Sequence, residues 1–539
     1  MPTTNLISLN RLKSEFHDWS ISALIVAPFA WVYVTHFLFS HGQGTGFFDY
    51  DMPYYSALGR AIFSRGNGIL YPNPYDLNAP SIYFQWFPWL LGVGTVLLHA
   101  DSGYLFDALG LIFSVALART TLALIRSCVT IGMDRKHEIF YLALAFWGGG
   151  LLCAAGIANG FIDRGWQFLQ LNHTNALAIL QFDPDHGLWF LNWGRNTFFT
   201  TEALYHLLVA MVWLGVLRDR WRWAAVGLLL LAATHPWTGL EMIAIMLAYL
   251  VWTYIAGRAR PPLWFQTVTV LCTAAFIWYY GVYLNQFDSH RRIVSLWKSE
   301  VWTVSDLSFV LSIASLLPLI IYRIVLRPPL RRGDEFLAVC FLISTVLSIH
   351  QHWMTPIQPI HFHHGYPWFS LFLFALPAIA KLTNTIAIKR RSLGVWAVSV
   401  MMLFFMFSDN VIFVISRTAE SMNIMHTIRL SPPERQLFRW LAQSRAHGLF
   451  LARDGQLSYL SSAYTNVTPY LGQSYLTPTY ERRVDTTTRF YSMSSSDLPF
   501  QLSYLLVAPS DSVCAPQGWS ICYDRQGYRL YRVATGAPR

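Results

Sequence analysis

Long apolar runs recur along the chain, separated by short polar breaks. A helix needs about 20 apolar residues to cross a bilayer. That length predicts spans at 19–41, 104–126, 138–158, 197–217, 222–235, 238–256, 263–286, 305–323, 335–351, 367–384 and 392–416. The pair 222–235 and 238–256 forms a tight hairpin broken by HPWTG. Past residue 416 the pattern changes. SPPERQLFRWLAQSRAHG predicts an amphipathic helix with Leu437, Trp440 and Leu441 on one face. GLFLARD, LSYLLVAPSD, SICYDRQ and YRLYRVA predict short strands between turns. The expected fold is mainly α: a polytopic transmembrane helical bundle over residues 1–416, with its first outer loop at 42–103. A small extracytoplasmic α/β domain follows over 417–539, with a lid or a stability module as its simplest roles.

Segment 83–99, YFQWFPWLLGVGTVLLH, is apolar enough to compete as a span, and charge decides against it. If it lies in the interface or re-enters, the basic clusters fall on one side. These are Arg11/Lys13, Arg126/Arg135/Lys136, Arg218/Arg220/Arg222, Arg258/Arg260, Arg323/Arg327/Arg331/Arg332 and Lys381/Lys389/Arg390/Arg391, eighteen basic residues in all. Seven, Arg60, Arg65, Arg164, Arg195, Arg291, Arg292 and Lys298, fall on the other. Cytoplasmic loops carry the excess of Lys and Arg, and aromatic residues favour the interface. The N-terminus is therefore expected inside and the C-terminus outside. The first span is expected to be an uncleaved anchor, because no clear small-residue cleavage site follows it.

Composition supports this picture. The 539 residues are 54% hydrophobic and 13% charged, and mean hydropathy is +0.36. Ordinary globular chains carry about 25% charged residues. A net charge of +10 invites a nucleic-acid partner, but the basic residues sit in small clusters between apolar runs, which excludes one. Of six cysteines, Cys128, Cys153, Cys272 and Cys340 lie in or beside spans, as small buried residues do. Cys514 and Cys522 could pair as a disulfide if the tail is extracytoplasmic.

The acids and histidines collect at the outward face. Loop 1 holds Asp49, Asp51, Arg60 and Arg65. Loop 2 holds Asp163, Arg164, His173, Asp183, Asp185, His186 and Arg195. His235 opens the HPWTG turn, DSHRR supplies Asp288, His290, Arg291 and Arg292, and a later loop holds His350, His352, His361, His363 and His364. Ionisable groups gathered at one membrane face suggest a site there. In loop 1, Pro53 suits a first helical turn, and Gly66-Asn67-Gly68 suits the end of that helix. Tyr55, Leu58 and Ile62 make a stripe that could lie on the membrane, with Arg60 towards water or lipid phosphate. Asp51 is placed to cap the helix, a role worth about 1 kcal/mol. Asp49 lies one step further out and is the better candidate for chemistry.

An acidic pair after the first span, a tyrosine-rich juxtamembrane helix, then GILYPNPY and YFQWFPWLL together resemble loop 1 of the GT-C superfamily of polytopic glycosyltransferases. The likeness is to the branches that use polyprenyl-phosphate sugars, where a D-x-E or D-D pair opens a juxtamembrane helix; this chain has D-Y-D. As sequence it covers about 45 residues. The resemblance implies transfer of a sugar from a polyprenyl-phosphate donor to a glycan, lipid or protein acceptor, with inversion at the anomeric carbon. It puts the general base at Asp49, with Asp51 in support or, with Asp49, holding a divalent cation such as Mg or Mn. Arg195, Arg291, Arg292, His235, His361, His363, His364, Tyr54 and Arg60 are the candidates for donor phosphate and substrate. A bacterial-type inner membrane is the expected location.

Other readings stand beside it. HFHHGYPW could hold a metal, since His361 and His363 alternate on an extended chain, or bind substrate, or simply pack. The Arg pair of DSHRR could be a solvated loop touching headgroups. Asp183-Pro184-Asp185-His186 is a second acidic turn, and Asn172 and Asn466 open sequons. Haem is set aside because His206, His235 and His350 lie singly on different spans. An O-antigen-type polymerase or ligase is the rival enzyme, and a lipid-linked-sugar flippase or transporter the rival without chemistry. The latter predicts inverted repeats and charge at mid-membrane, whereas only Glu202 and Glu241 stand out in the spans.

Overall fold

The computed structural model describes residues 3–129, 134–170, 177–187, 189, 191–299, 301–326, 331–388, 393–423, 428–493, 501–513 and 517–533. Asn172, His173, Arg327, Lys389, Arg390, Arg391 and Cys514, and with Cys514 the expected disulfide, lie outside the described residues.

Helices form where the apolar runs predict them: α1 Thr3–Phe39, α4 Ser102–Cys128, α5 Arg135–Trp147 with α6 Leu152–Arg164, α7 Thr200–Leu217, α8 Trp221–Ala232, α9 Pro236–Ile255, α10 Leu263–Phe276, α12 Asp306–Ile313 with α13 Leu317–Val325, α14 Arg332–Ser348, α15 Tyr366–Ile388 and α16 Leu393–Met422. Loop 1 contributes α2 Met52–Ser64 and α3 Trp86–Gly92. The segment before α12 contributes α11 Asp288–Ser299, and the C-terminal region α17 Pro432–Gln443, α18 Gly455–Tyr464 and α19 Tyr480–Met493. The protein is a multi-pass integral membrane protein. Among the described residues seven helices are long and apolar enough to cross a membrane, eight with the bent pair α5 and α6.

That count is lower than the eleven expected, for local reasons. The run 138–158 is two helices bent by 55°, broken at Gly148, Gly149 and Gly150. The freed backbone is satisfied from elsewhere: Gly149 N–H donates to the Met406 carbonyl at 2.7 Å, and Leu151 N–H to that of Leu311 at 2.8 Å. Helix α8 has 12 residues, about 18 Å, short of the hydrocarbon core. Helix α14, with 17 residues over the expected span 335–351, is at the lower limit for crossing, and segment 83–99, expected not to cross, makes a helix and a π turn ending at Leu97.

The chain divides into two compact units. The first comprises Met1–Val32, Leu109–Val282 and Lys298–Ala419. At one of its ends the expected same-side basic clusters meet. Arg126 pairs with Asp18 and Glu138, Arg218 donates to Ser127, Arg331 to the Cys128 carbonyl, Arg332 pairs with Asp219 and Arg258 with Glu335. Inside, Trp193 stacks on Phe369 at 3.8 Å, and Trp213 lies nearly parallel to both at 5.8 Å from Phe369 and 6.3 Å from Trp193.

The second unit comprises Tyr33–Ala108, Tyr283–Trp297 and Glu420–Arg539. Its five strands, β1 Gly448–Leu451, β2 Val467–Pro469, β3 Leu502–Val507, β4 Trp519–Arg525 and β5 Tyr528–Val533, run in the order β2-β1-β3-β5-β4. β1 is parallel to β2 and β3, whereas β5 is antiparallel to β3 and β4. Four strands match the predicted runs; β2, three residues long, carries no alternation to reveal it. Helix α2 lies against α3 through two facing glycines, with no room for a Cβ on either. A Cβ on Gly59 would stand 2.7 Å from Gly92 N, and one on Gly92 would stand 2.3 Å from the Gly59 carbonyl oxygen. The stripe expected on the membrane is instead packed inside this unit. Leu58 and Ile62 are buried against Tyr71, and Tyr55 faces Phe87 and Phe106. Side chains of that size gain about 1.5–3 kcal/mol each on full burial.

Candidate functional site

In the second unit, Asp51 occupies the N-cap position of α2 but does not cap it. A cap needs extended backbone so that the side chain can reach the N–H groups one turn on. Asp51 has φ −85° and ψ −15°, and Pro53 offers no N–H. The chain turns instead on Asp49, whose Oδ1 accepts the Asp51 N–H at 3.2 Å while its carbonyl accepts the Met52 N–H at 3.2 Å. The expected roles are therefore exchanged at the level of local structure. Asp49 shapes the turn, and the Asp51 carboxylate is committed elsewhere.

Its partner is Gln473, whose Nε2 donates to Asp51 Oδ1 at 3.0 Å. Residues around it hold the same stretch: the Tyr50 hydroxyl accepts the Ser474 N–H at 2.8 Å, the Tyr459 hydroxyl donates to the Tyr50 carbonyl, and the two rings lie 5.1 Å apart. Asp51 is reached by solvent, yet protein crowds it enough that desolvation raises its carboxyl above the ordinary carboxylate range; the Gln473 amide works against that rise. Tyr54, one turn on, is pushed well up by burial, with Tyr55, Tyr83 and Asp51 adding to it. Sequence reasoning missed Gln473 and Tyr459, and no local pattern marks either.

Arg60 does not point to open water. Its Nε donates to the Thr465 carbonyl at 3.1 Å and Nη2 to Asn466 Oδ1 at 3.2 Å, and burial lowers it to about 10. DSHRR is the first turn of α11 rather than a loop. Arg291 is spent on its own helix end, donating to the Asn285 carbonyl at 2.7 Å and pairing with Asp288. Arg292 lines a cavity of about 280 Å³ with Asn73, Asp76, Tyr475, Thr477 and Thr479. Of the expected phosphate ligands in this unit, Arg292 lines this cavity and Arg60 lines a second, separate one.

In the first unit, Arg195 is not available to a substrate. It is fully buried, with Nη1 on Asp183 at 2.9 Å, Nε on Asn410 Oδ1 at 2.9 Å and Nη2 on the Asp409 carbonyl at 2.8 Å. The acidic turn Asp183–Asp185 thus supplies an internal counter-ion. Asp409 completes the network by accepting the Cys153 N–H at 2.8 Å. It went unnoticed in FFMFSDNVIF, although an acid inside an apolar run is itself a signal.

The histidines sort differently from their spacing. Pro359–Phe362 is a 3₁₀ turn, not extended chain, so His361 and His363 do not share a face. His363 is buried with Nε2 3.2 Å from Ser312 Oγ. His361 lies 5.9 Å from His364 and 6.0 Å from His235 by ring centres, among Trp189, Trp237 and Trp302. His235 caps α9 through Thr238 and stacks on Tyr205. Glu202 Oε2 is 3.4 Å from His364 Nδ1. The result is a cluster of imidazoles and one carboxylate packed among aromatic rings, able to donate and accept hydrogen bonds. Among the described residues no three His, Cys, Asp or Glu side chains are disposed to hold a metal ion.

No family model and no curated protein matches the chain. Solved structures match over most of it. ArnT from Cupriavidus metallidurans bound to undecaprenyl phosphate matches at 11% identity and TM-score 0.43, over 96% of this chain and 99% of its own. The archaeal oligosaccharyltransferase AglB from Archaeoglobus fulgidus, in complex with an inhibitory peptide and a dolichol-phosphate, matches at 10% identity and TM-score 0.38, over 90% and 69%. A second Archaeoglobus fulgidus oligosaccharyltransferase structure, with Zn and sulfate, matches at 12% and 0.37, over 89% and 67%. Scores this low leave activity to be argued from the chain's own residues.

Proposed function

We propose that the protein is an integral membrane glycosyltransferase that moves a sugar from a polyprenyl-phosphate donor to a glycan, lipid or protein acceptor. The reaction takes place at the extracytoplasmic face of a bacterial-type inner membrane, with the N-terminus cytoplasmic. The observation that carries the reading is the solvent-reached Asp51, held by Gln473 beside Asp49 at the start of the tyrosine-rich helix.

In the reaction a carboxylate takes the acceptor's proton as the acceptor atom attacks the anomeric carbon. The bond from that carbon to the phosphate oxygen breaks with inversion, and polyprenyl phosphate leaves with the electron pair. A positioned base contributes about 10²–10⁴-fold, most when its pKa lies towards the working pH. The raised carboxyl of Asp51 suits that task better than Asp49, which is occupied in shaping the turn. Arg292 is the arginine assigned to the leaving phosphate, since its planar fork can make two parallel bonds to it. Asp49 and Asp51 are also the acids that would hold a divalent cation such as Mg or Mn, a role for Asp51 in place of the base. The cation would neutralise leaving-group charge.

The test is transfer in membranes supplied with polyprenyl-phosphate sugars and an acceptor extract. Asp51→Asn is expected to abolish transfer and Asp49→Asn to impair it. Full transfer by folded Asp51→Asn rejects Asp51 as base, and full transfer by both variants rejects the site. A chelator in the same assay reports on the cation.

A further inference from the structure

The second unit holds another polar cavity, which neither Asp49 nor Asp51 lines. It encloses about 670 Å³ between the end of the π turn after α3, the first residue of α4, α17 with the segment after it, and Tyr464–Asn466. Its chemistry is one-sided. Arg60, Arg435, Arg439 and Arg445 line it against a single carboxylate, Asp101. Asp101 Oδ2 is 3.8 Å from Arg435 Nη1, a long contact for one acid facing four cations. Arg60 reaches only neutral oxygens, and Arg439 and Arg445 have no carboxylate partner among the described residues.

Donors inside it are left over. Arg435 Nε and the Tyr464 hydroxyl are buried without a hydrogen-bond partner. Unmade hydrogen bonds on buried groups are costly, and a cleft of one charge sign concentrates the opposite ion. Several guanidinium groups around one space match phosphate, whose oxygens accept bidentate bonds. The remaining wall is apolar, formed by Val96, Leu430 and Phe438. Ser102, which opens the membrane-length helix α4, is also in the lining. Basic residues at the ends of membrane helices meet lipid headgroups.

We propose that this cavity binds the phosphate group of an amphiphile of net negative charge, in the headgroup layer of the membrane. The half-buried Arg60 and Arg435 form its floor, and the exposed Arg439 and Arg445 its mouth.

The experiment is equilibrium binding to the full-length protein in uncharged detergent, with dihexanoyl-phosphatidylglycerol, dihexanoyl-phosphatidylcholine and inorganic phosphate as probes. The phosphatidylglycerol is expected to bind about tenfold or more tighter than the zwitterionic lipid, and R439Q/R445Q to weaken it by about tenfold or more. Both arginines are exposed, and the melting temperature of the double variant checks that it folds. Competition by inorganic phosphate supports recognition of the anion itself, and its absence supports the lipid-borne form. Asp51→Asn is expected to leave binding unchanged, which separates this cavity from the proposed transfer site. Equal binding of the two lipids, or undiminished binding by folded R439Q/R445Q, overturns the proposal.

Discussion

Gln473 donates a 3.0 Å hydrogen bond to Asp51 across 422 residues of chain. The bond joins a loop-1 acid to the segment just past β2, so the rise that desolvation imposes on that carboxylate is opposed by a residue that nothing near it in sequence announces.

Asp51→Asn should separate activity from stability. Transfer is expected to fall by about 10²–10⁴-fold, with no loss of melting temperature at pH 7. Because the folded carboxyl is raised, its stabilising contribution is fully present below the ordinary value of 3.8 and is lost as pH rises through the folded value. Asparagine carries no such loss. Melting curves of both proteins at acid and neutral pH check the sign.

Gln473→Ala removes the donor that favours the ionised form. Asp51 then rises further, and the acid limb of the pH–rate profile should move to higher pH with its plateau largely kept. A profile of kcat/KM against pH for the two proteins reads this directly. An unmoved limb detaches Gln473 from the chemistry.

Arg195→Met should act on folding. Its removal leaves Asp183 buried without its cation, a change that costs about 3–5 kcal/mol when one partner of a buried pair is lost. Low yield and a lowered melting temperature in detergent are expected. Arg195→Lys should not restore them, since the three donors of an ammonium sit on one nitrogen and cannot span acceptors met by Nε, Nη1 and Nη2.

Gly59→Val tests the helix contact that carries the acid pair. A side chain there meets Gly92 N and the Pro88 carbonyl oxygen at 2.7 Å each, so α2 must move. Overpacking of this kind costs about 1–3 kcal/mol. Transfer and melting temperature should fall together, unlike in Asp51→Asn.

The helices were legible because an apolar run of membrane length has few alternatives, and the four longer strands because their runs end in turn residues. The break at Gly148–Gly150 was visible as three glycines but overridden by hydropathy. What sequence could not show was partnership. Leu58 and Ile62 make the same stripe whether they meet lipid or Tyr71. Arg195 looked like a loop arginine because Asp409 and Asn410 lie more than 200 residues on. His361 and His363 alternate in the text, and the 3₁₀ turn at Pro359–Phe362 parts them. Asp51 followed the rule for a cap until backbone angles and Gln473 assigned it elsewhere.

The glycine break between α5 and α6 also bears on synthesis. Its Gly149 and Leu151 N–H groups are met by carbonyls of Met406 and Leu311, which leave the ribosome long after the break does. A nascent chain halted before residue 311 therefore holds an open joint among its early helices. Protease should cut it near residue 149, and the site should close only once the chain has grown past Met406.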